Sequence, residues 1–191
     1  MKRIRFLLPL LFAFAAGVSA SPAAVPTDSV YQLPVRLTDQ AGRNWSWNER
    51  RGKPQVVAMF YTSCQYICPL IVDSGKAVER GLSPDQRDRL GILLISMDPD
   101  RDSPAKLMSV VKERGLDTRH WTLASPPPDQ VRSVANVLGV RYRKLDDGEF
   151  NHTSALILLD ADGRVLARTE QVGSKVDADF LAQVQKELQK H

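Results

Sequence analysis

Residues 55–69 read Gln55-Val56-Val57-Ala58-Met59-Phe60-Tyr61-Thr62-Ser63-Cys64-Gln65-Tyr66-Ile67-Cys68-Pro69. Val56 to Phe60 is an unbroken apolar run, the pattern of a strand covered on both faces. A polar loop with two cysteines follows at once. Pro69 suits a first helical position, where its missing N–H costs nothing. The stretch therefore predicts a strand over Gln55–Tyr61, a cysteine loop, and a helix from Pro69 to about Arg80, ended by Gly81. On that reading Cys68 is the helix N-cap, where free N–H groups and the positive end of the helix dipole favour a thiolate.

The same rhythm continues downstream. Gly91 to Met97 is a second buried strand, and Asp98-Pro99-Asp100-Arg101-Asp102 is a loop. Ser103 caps a helix that starts at Pro104 and stops at Gly115. His120 to Ala124 is a short strand, and a helix ends near Leu138 before Gly139. Val140 to Lys144 reads as an edge strand, and Ala155–Leu159 with Arg164–Thr169 form a hairpin around Asp160-Ala161-Asp162-Gly163. Val176 to Lys190 is a last amphipathic helix. Upstream, Val30–Leu37 reads as a strand with Arg43–Trp47 as its hairpin partner, and Ser83-Pro84-Asp85 opens a polar connection. Alternating strands and helices give an α/β class. A βαβ half followed by a ββα half is the thioredoxin-like arrangement: a central mixed sheet flanked by helices, here with an N-terminal β-hairpin and an inserted helix.

The first residues carry an address. Lys2, Arg3 and Arg5 precede the apolar Phe6–Val18, and Val18-Ser19-Ala20 offers small residues for cleavage after Ala20. Residues 1–20 are read as a signal peptide, 21–29 as a flexible leader and 30–191 as one domain. The alternative is a retained anchor facing the periplasm, but thirteen residues span about 20 Å, short of the roughly 30 Å apolar core of a bilayer. The chain has a net charge of +4, and its first twenty residues hold three cations and no anion, so the remainder is +1. No basic block interleaved with aromatics follows, which argues against nucleic-acid binding.

Cys64 and Cys68 are the only cysteines. An exported protein makes a structural disulfide the default, but closing so small a loop removes little entropy from the unfolded chain. Chemistry is the better reason for the pair. The spacing is one residue wider than a CxxC redox turn and leaves room for both sulfurs on one metal ion. Thiolates select soft ions such as Cu(I), and imidazole suits copper too. Three histidines could complete the site: the terminal His191, His120 beside Trp121, and His152 at a loop-to-strand junction. Met59, Met97 and Met108 could add thioethers but fit core packing better. Trp45 and Trp47 share one side of a strand and read as packing or a docking patch. Asp100 and Asp102 lack the partner that hydrolytic chemistry needs.

Phe60-Tyr61-Thr62-Ser63-Cys64 with Cys68-Pro69, Asp98-Pro99-Asp100-Arg101-Asp102, and Asn151-His152-Thr153-Ser154-Ala155 occur in that order. Together with Gly52-Lys53-Pro54 and Asp160–Arg164 they resemble the Sco/SenC family of copper-binding assembly factors over roughly residues 30–185. The resemblance implies that Cys64, Cys68 and His152 ligate copper, as Cu(I) and in many members Cu(II). It implies a periplasmic copper chaperone, not an enzyme, that delivers copper to a cytochrome c oxidase subunit carrying a copper centre. Other periplasmic copper carriers and a thioredoxin-like reductant would be further partners. Some members resemble thiol-disulfide oxidoreductases or redox sensors instead; Cys64 and Cys68 would then be the redox pair and His152 would be unnecessary. Asp98 would orient the site or a partner, or merely cap its own turn. Gln65 stands where the family often has Pro, and Asn151 where it has Asp.

Overall fold

The computed structural model describes residues 24–64 and 67–190, with the side chains of Ile67 and Cys68 also outside the description. The signal peptide read at 1–20 and His191 lie outside the described residues.

The two apolar runs lie at the centre of the sheet. β3 (Gln55–Phe60) and β4 (Gly91–Ser96) run parallel in register, Gln55 opposite Gly91 and Phe60 opposite Ser96, and every residue of both is buried. β5 (Trp121–Ser125) lies parallel to β4. β1 (Arg36–Asp39) and β2 (Asn44–Ser46) extend this side antiparallel, while β8 (Leu156–Leu159) and β9 (Val165–Thr169) extend the other. The seven-stranded order is β2-β1-β5-β4-β3-β8-β9. It is the mixed, helix-flanked sheet expected of a thioredoxin-like fold. Helices α1 (Ile67–Arg80), α2 (Pro84–Arg89), α3 (Pro104–Arg114), α4 (Val131–Val137) and α5 (Ala178–Leu188) connect and cover it.

Helix α1 packs tightly on the sheet because position 75 has no side chain. A Cβ on Gly75 would come within 2.5 Å of the ring of Trp121, which is fully buried. Gly75→Ala is expected to destabilise the fold by about 1–3 kcal/mol from overpacking, outweighing the roughly 1 kcal/mol that alanine gains in a helix. Urea unfolding checks the sign; a rise in midpoint would refute it.

Several expectations are corrected. Val30–Leu37 is not one strand: Val30–Gln32 is a 3-10 turn capped by Ser29, and the strand begins at Arg36. Pro34, which has no N–H for a ladder, lies between them. From residue 24 the leader contacts the domain: Arg51 donates to Ala24 O, and Ser29 Oγ donates to Asp162 O at 2.6 Å. The polar connection after Ser83 contains α2, whose capping box is Ser83 with Gln86. α5 is shorter than Val176–Lys190 and is capped by Asp177. The stretch read as an edge strand is no edge of the main sheet. β6 (Tyr142–Lys144) pairs with β7 (Phe150–His152) in a separate two-stranded ribbon. Cys68 lies within the first turn of α1 instead of at its N-cap, because α1 starts at Ile67. Pro69 still fits, since no early N–H of a helix has an intrahelical partner.

Candidate metal centre

The cysteine loop leaves the C-terminal end of β3 and is braced from below by a buried carboxylate. Asp102, 1% exposed, accepts from the Thr62 backbone N–H at 3.1 Å, from the Thr62 hydroxyl, and from Ser96 Oγ at 2.5 Å. Burial pushes the Asp102 carboxyl above the usual range, and these hydrogen bonds pull the other way. Asp100 is exposed, so Asp100 and Asp102 are not a carboxylate pair in a shared environment. Cys64 is buried, and its backbone N–H lies 3.4 Å from Tyr61 O.

The histidine arrives by topology. β8 runs antiparallel to β3, Val57 opposite Ile157, so the entrance of β8 lies beside the exit of β3. β7 comes just before that entrance and ends at His152. Tyr61 joins the two parts. Its hydroxyl donates to Glu149 Oε2 at 2.8 Å, its ring meets the His152 ring edge-on at 5.9 Å, and the Cys64 side chain is among its hydrogen-bonding neighbours. Burial, then the Glu149 bond, raises the Tyr61 phenol above its ordinary pKa. Arg101 adds a second tie: paired with Asp98, it also donates to Gly148 O at the tip of the β6–β7 ribbon. Asp98, itself 2% exposed, therefore orients an arginine that holds the ribbon carrying His152.

His152 is half-buried, and burial lowers its pKa below the ordinary imidazole value, with the Thr153 backbone contact opposing. Nδ1 lies 3.3 Å from Thr153 O. A carbonyl only accepts, so that contact needs the proton on Nδ1 and leaves a lone pair on Nε2. Nε2 is buried and has no hydrogen-bond partner among the described residues. A buried polar atom left so costs about 1–3 kcal/mol. A soft or borderline cation would satisfy it.

Cys64 and His152 thus both border Tyr61, but they line different hollows. His152 opens on a cleft of about 610 Å³ with Arg141, Arg143 and Asn151. Cys64 opens on a hollow of about 120 Å³ with Pro69, Val72 and Val110. The Cys68 side chain is not among those described, and no cluster of three or more metal-ligating side chains is assembled among the described residues.

The other candidates have structural roles here. His120 precedes β5, at the end of the parallel strands opposite Cys64, and its ring nitrogens lie 3.1 Å from Glu79 and 3.0 Å from Asp88. Met59 and Met97 are buried in the core, and Met108 packs against it. Trp47 is fully buried, and Trp45 lies under the Arg50 guanidinium at 4.6 Å. Sequence reasoning did not foresee the parts of Tyr61, Glu149 and Arg101. Tyr61 and Arg101 lay inside quoted motifs, but nothing local tied either to residues 148–152.

The SCO1/SenC family profile matches residues 24–189. The SCO1 protein homolog of Bacillus subtilis is 24% identical over 179 residues, covering 92% of this chain and 91% of that protein. The copper-bound structure of ScoI from Bradyrhizobium japonicum superposes with a TM-score of 0.67 at 26% identity, covering 81% of this chain and 97% of that one. The copper-bound ScoI of Arabidopsis thaliana gives the same TM-score of 0.67 at 23% identity, covering 83% and 98%.

Proposed function

This chain belongs to the SCO1/SenC family, and from that premise we propose that it is an exported copper carrier that binds one ion through Cys64, Cys68 and His152 and passes it to a respiratory oxidase copper site. The family membership and the copper held by the ScoI relatives support the cargo. The observation that carries the reading for this chain is the His152 Nε2 lone pair, buried without a partner among the described residues and set across Tyr61 from Cys64.

The chemistry follows from the donor set. Two thiolates and a neutral imidazole suit Cu(I). Three protein ligands leave the ion approachable, so a recipient's cysteine or histidine can displace them one at a time. Transfer is ligand exchange and breaks no covalent bond of the protein. The cysteines must be reduced to load, which calls for a thioredoxin-like reductant in an oxidising compartment. Export would follow from cleavage after Ala20 into the periplasm. Among the described residues no helix is long and apolar enough to cross a membrane.

An anaerobic Cu(I) titration of the reduced protein tests the reading. One ion should bind tightly, and His152→Ala should weaken it by roughly 10–100-fold, the scale of losing a supporting contact at a metal site. If the substitution leaves Cu(I) affinity unchanged while the protein reduces a test disulfide, the thiol-disulfide alternative replaces the carrier.

A further inference from the structure

The turn of the β6–β7 ribbon carries Asp146, Asp147 and Glu149, the last bonded by the Tyr61 hydroxyl, but from Gln130 to Leu145 the chain has four cations, Arg132, Arg141, Arg143 and Lys144, and no acidic residue. All four are exposed. Folding gathers them around the β6–β7 ribbon, whose last residue is His152. The ribbon is flanked by two clefts. The first, about 610 Å³, is lined by Arg141, Arg143, Asn151 and His152. The second, about 600 Å³, is lined by Arg132, Arg143, Lys144 and Tyr142.

The acidic groups in these clefts do not cancel the charge. Glu170 in the first already pairs with Arg168. In the second, Asp98 is paired with Arg101, which leaves Asp100 against three cations. Arg141 and Arg143 make no ion pair among the described residues, whereas Arg43, Arg51, Arg114, Arg119 and Arg164 are each matched to a carboxylate. Arg36, Arg50, Arg80 and Arg87 likewise stand outside the ion pairs of the described residues and bond neutral acceptors; what distinguishes Arg141 and Arg143 is that they line the cleft onto which His152 opens.

We infer that the β6–β7 ribbon is the docking surface for an acidic protein, one that presents carboxylates to Arg141 and Arg143 as it reaches the metal ligand His152. This deepens the copper-carrier reading and rests on it. Opposite charge around the exit point of the cargo would steer encounter and fix orientation, an effect felt more in association rate than in final affinity. A protein fits better than a lipid surface. The clefts are concave and large enough for side chains. The aromatics beside them, Tyr142 and Phe150, are half-buried under Arg132 and Lys144 and so are not free to enter a bilayer.

The test uses fluorescein-labelled hexaglutamate as probe and the reduced, copper-free protein, at an ionic strength of about 0.01 M and again at about 0.15 M. Fluorescence anisotropy should show binding that weakens with salt, and backbone amide shifts should map it to residues 132–152. Arg141→Gln with Arg143→Gln should weaken binding about tenfold at low salt, while Lys112→Gln with Lys186→Gln, the same charge change on α3 and α5, should change it less than about twofold. Equal loss from both pairs, or shifts spread over the whole surface, would overturn the inference. So would binding to vesicles of equal phosphatidylcholine and phosphatidylglycerol that depends on Arg141 and Arg143 while hexaglutamate does not bind. Cu(I) titration of the same samples keeps the two readings apart. If Cu(I) binds normally to the Arg141/Arg143 variant but hexaglutamate is never captured, the docking surface fails and the carrier stands. If the wild type binds no Cu(I), the carrier fails and takes the cargo-linked role of the ribbon with it.

Discussion

Asp102→Ala is expected to cost about 3–5 kcal/mol of folding stability and to loosen the cysteine loop. The carboxylate serves one backbone N–H and two hydroxyls, from Thr62 and Ser96, at a position 1% exposed. Alanine strands all three, and each stranded buried group costs about 1–3 kcal/mol, reduced where water can enter the space left behind. The effect reaches the candidate site because Thr62 lies just before Ser63 and Cys64. Asp102→Asn should be milder, since the amide oxygen still accepts from Thr62. The raised carboxyl pKa supports that order. A folded-state pKa above the unfolded value means a stability contribution that is full at low pH and lost as pH rises through the folded value, so the charge itself opposes burial at neutral pH. Urea unfolding should show a lowered midpoint with an unchanged slope for the alanine variant. A loss below about 1 kcal/mol would mean that Asp102 does not brace the loop.

This carboxylate marks where the sequence stops being legible. Asp102 read as one acid in a polar loop, and only the parallel pairing of β3 with β4 brings it beside Thr62. Elements whose signals are local were readable: the apolar runs of β3 and β4, and α3 with Ser103 accepting from the Lys106 N–H and Gly115 in the left-handed region at φ 58°. The α2 capping box was equally local, since Ser83 and Gln86 satisfy each other's backbone groups within one turn, yet the stretch read as a polar connection because its six residues bury nothing. The β6–β7 ribbon was only half legible: Val140–Lys144 read as a strand, but nothing local marked β7 or the pairing of the two. The strands are short and detached from the core sheet, and in β7 neither alternation nor an apolar run distinguishes three residues from a loop. The nearness of Cys64 and His152 depends on β8 lying antiparallel to β3, a pairing no spacing along the chain encodes. Motif order suggested the partners, and the sheet supplies the geometry that brings both to Tyr61.

Cys64→Ser is expected to reduce Cu(I) affinity by on the order of a thousandfold or more, beyond the effect at His152, with little change in fold. The substitution exchanges one atom. Serine is slightly smaller and fits the same buried position at the foot of the small hollow with Val72 and Val110. What changes is the donor. A thiol ionises near neutral pH and its sulfur is soft; a hydroxyl stays protonated and its oxygen is hard. The imidazole of His152 is replaceable in part by water or a neighbouring donor, but a soft ion has no comparable substitute for a thiolate. The same logic gives a second readout. A ligand that binds only the folded state stabilises it in proportion to the logarithm of its concentration over its dissociation constant. Cu(I) should therefore raise the melting temperature of the reduced wild-type protein and leave that of Cys64→Ser where the apo protein melts. Far-UV circular dichroism should be the same for both. Tight Cu(I) binding that survives the serine with less than about a tenfold loss would remove Cys64 from the ligand set. The hollow that it lines would then be only a packing defect between α1 and α3.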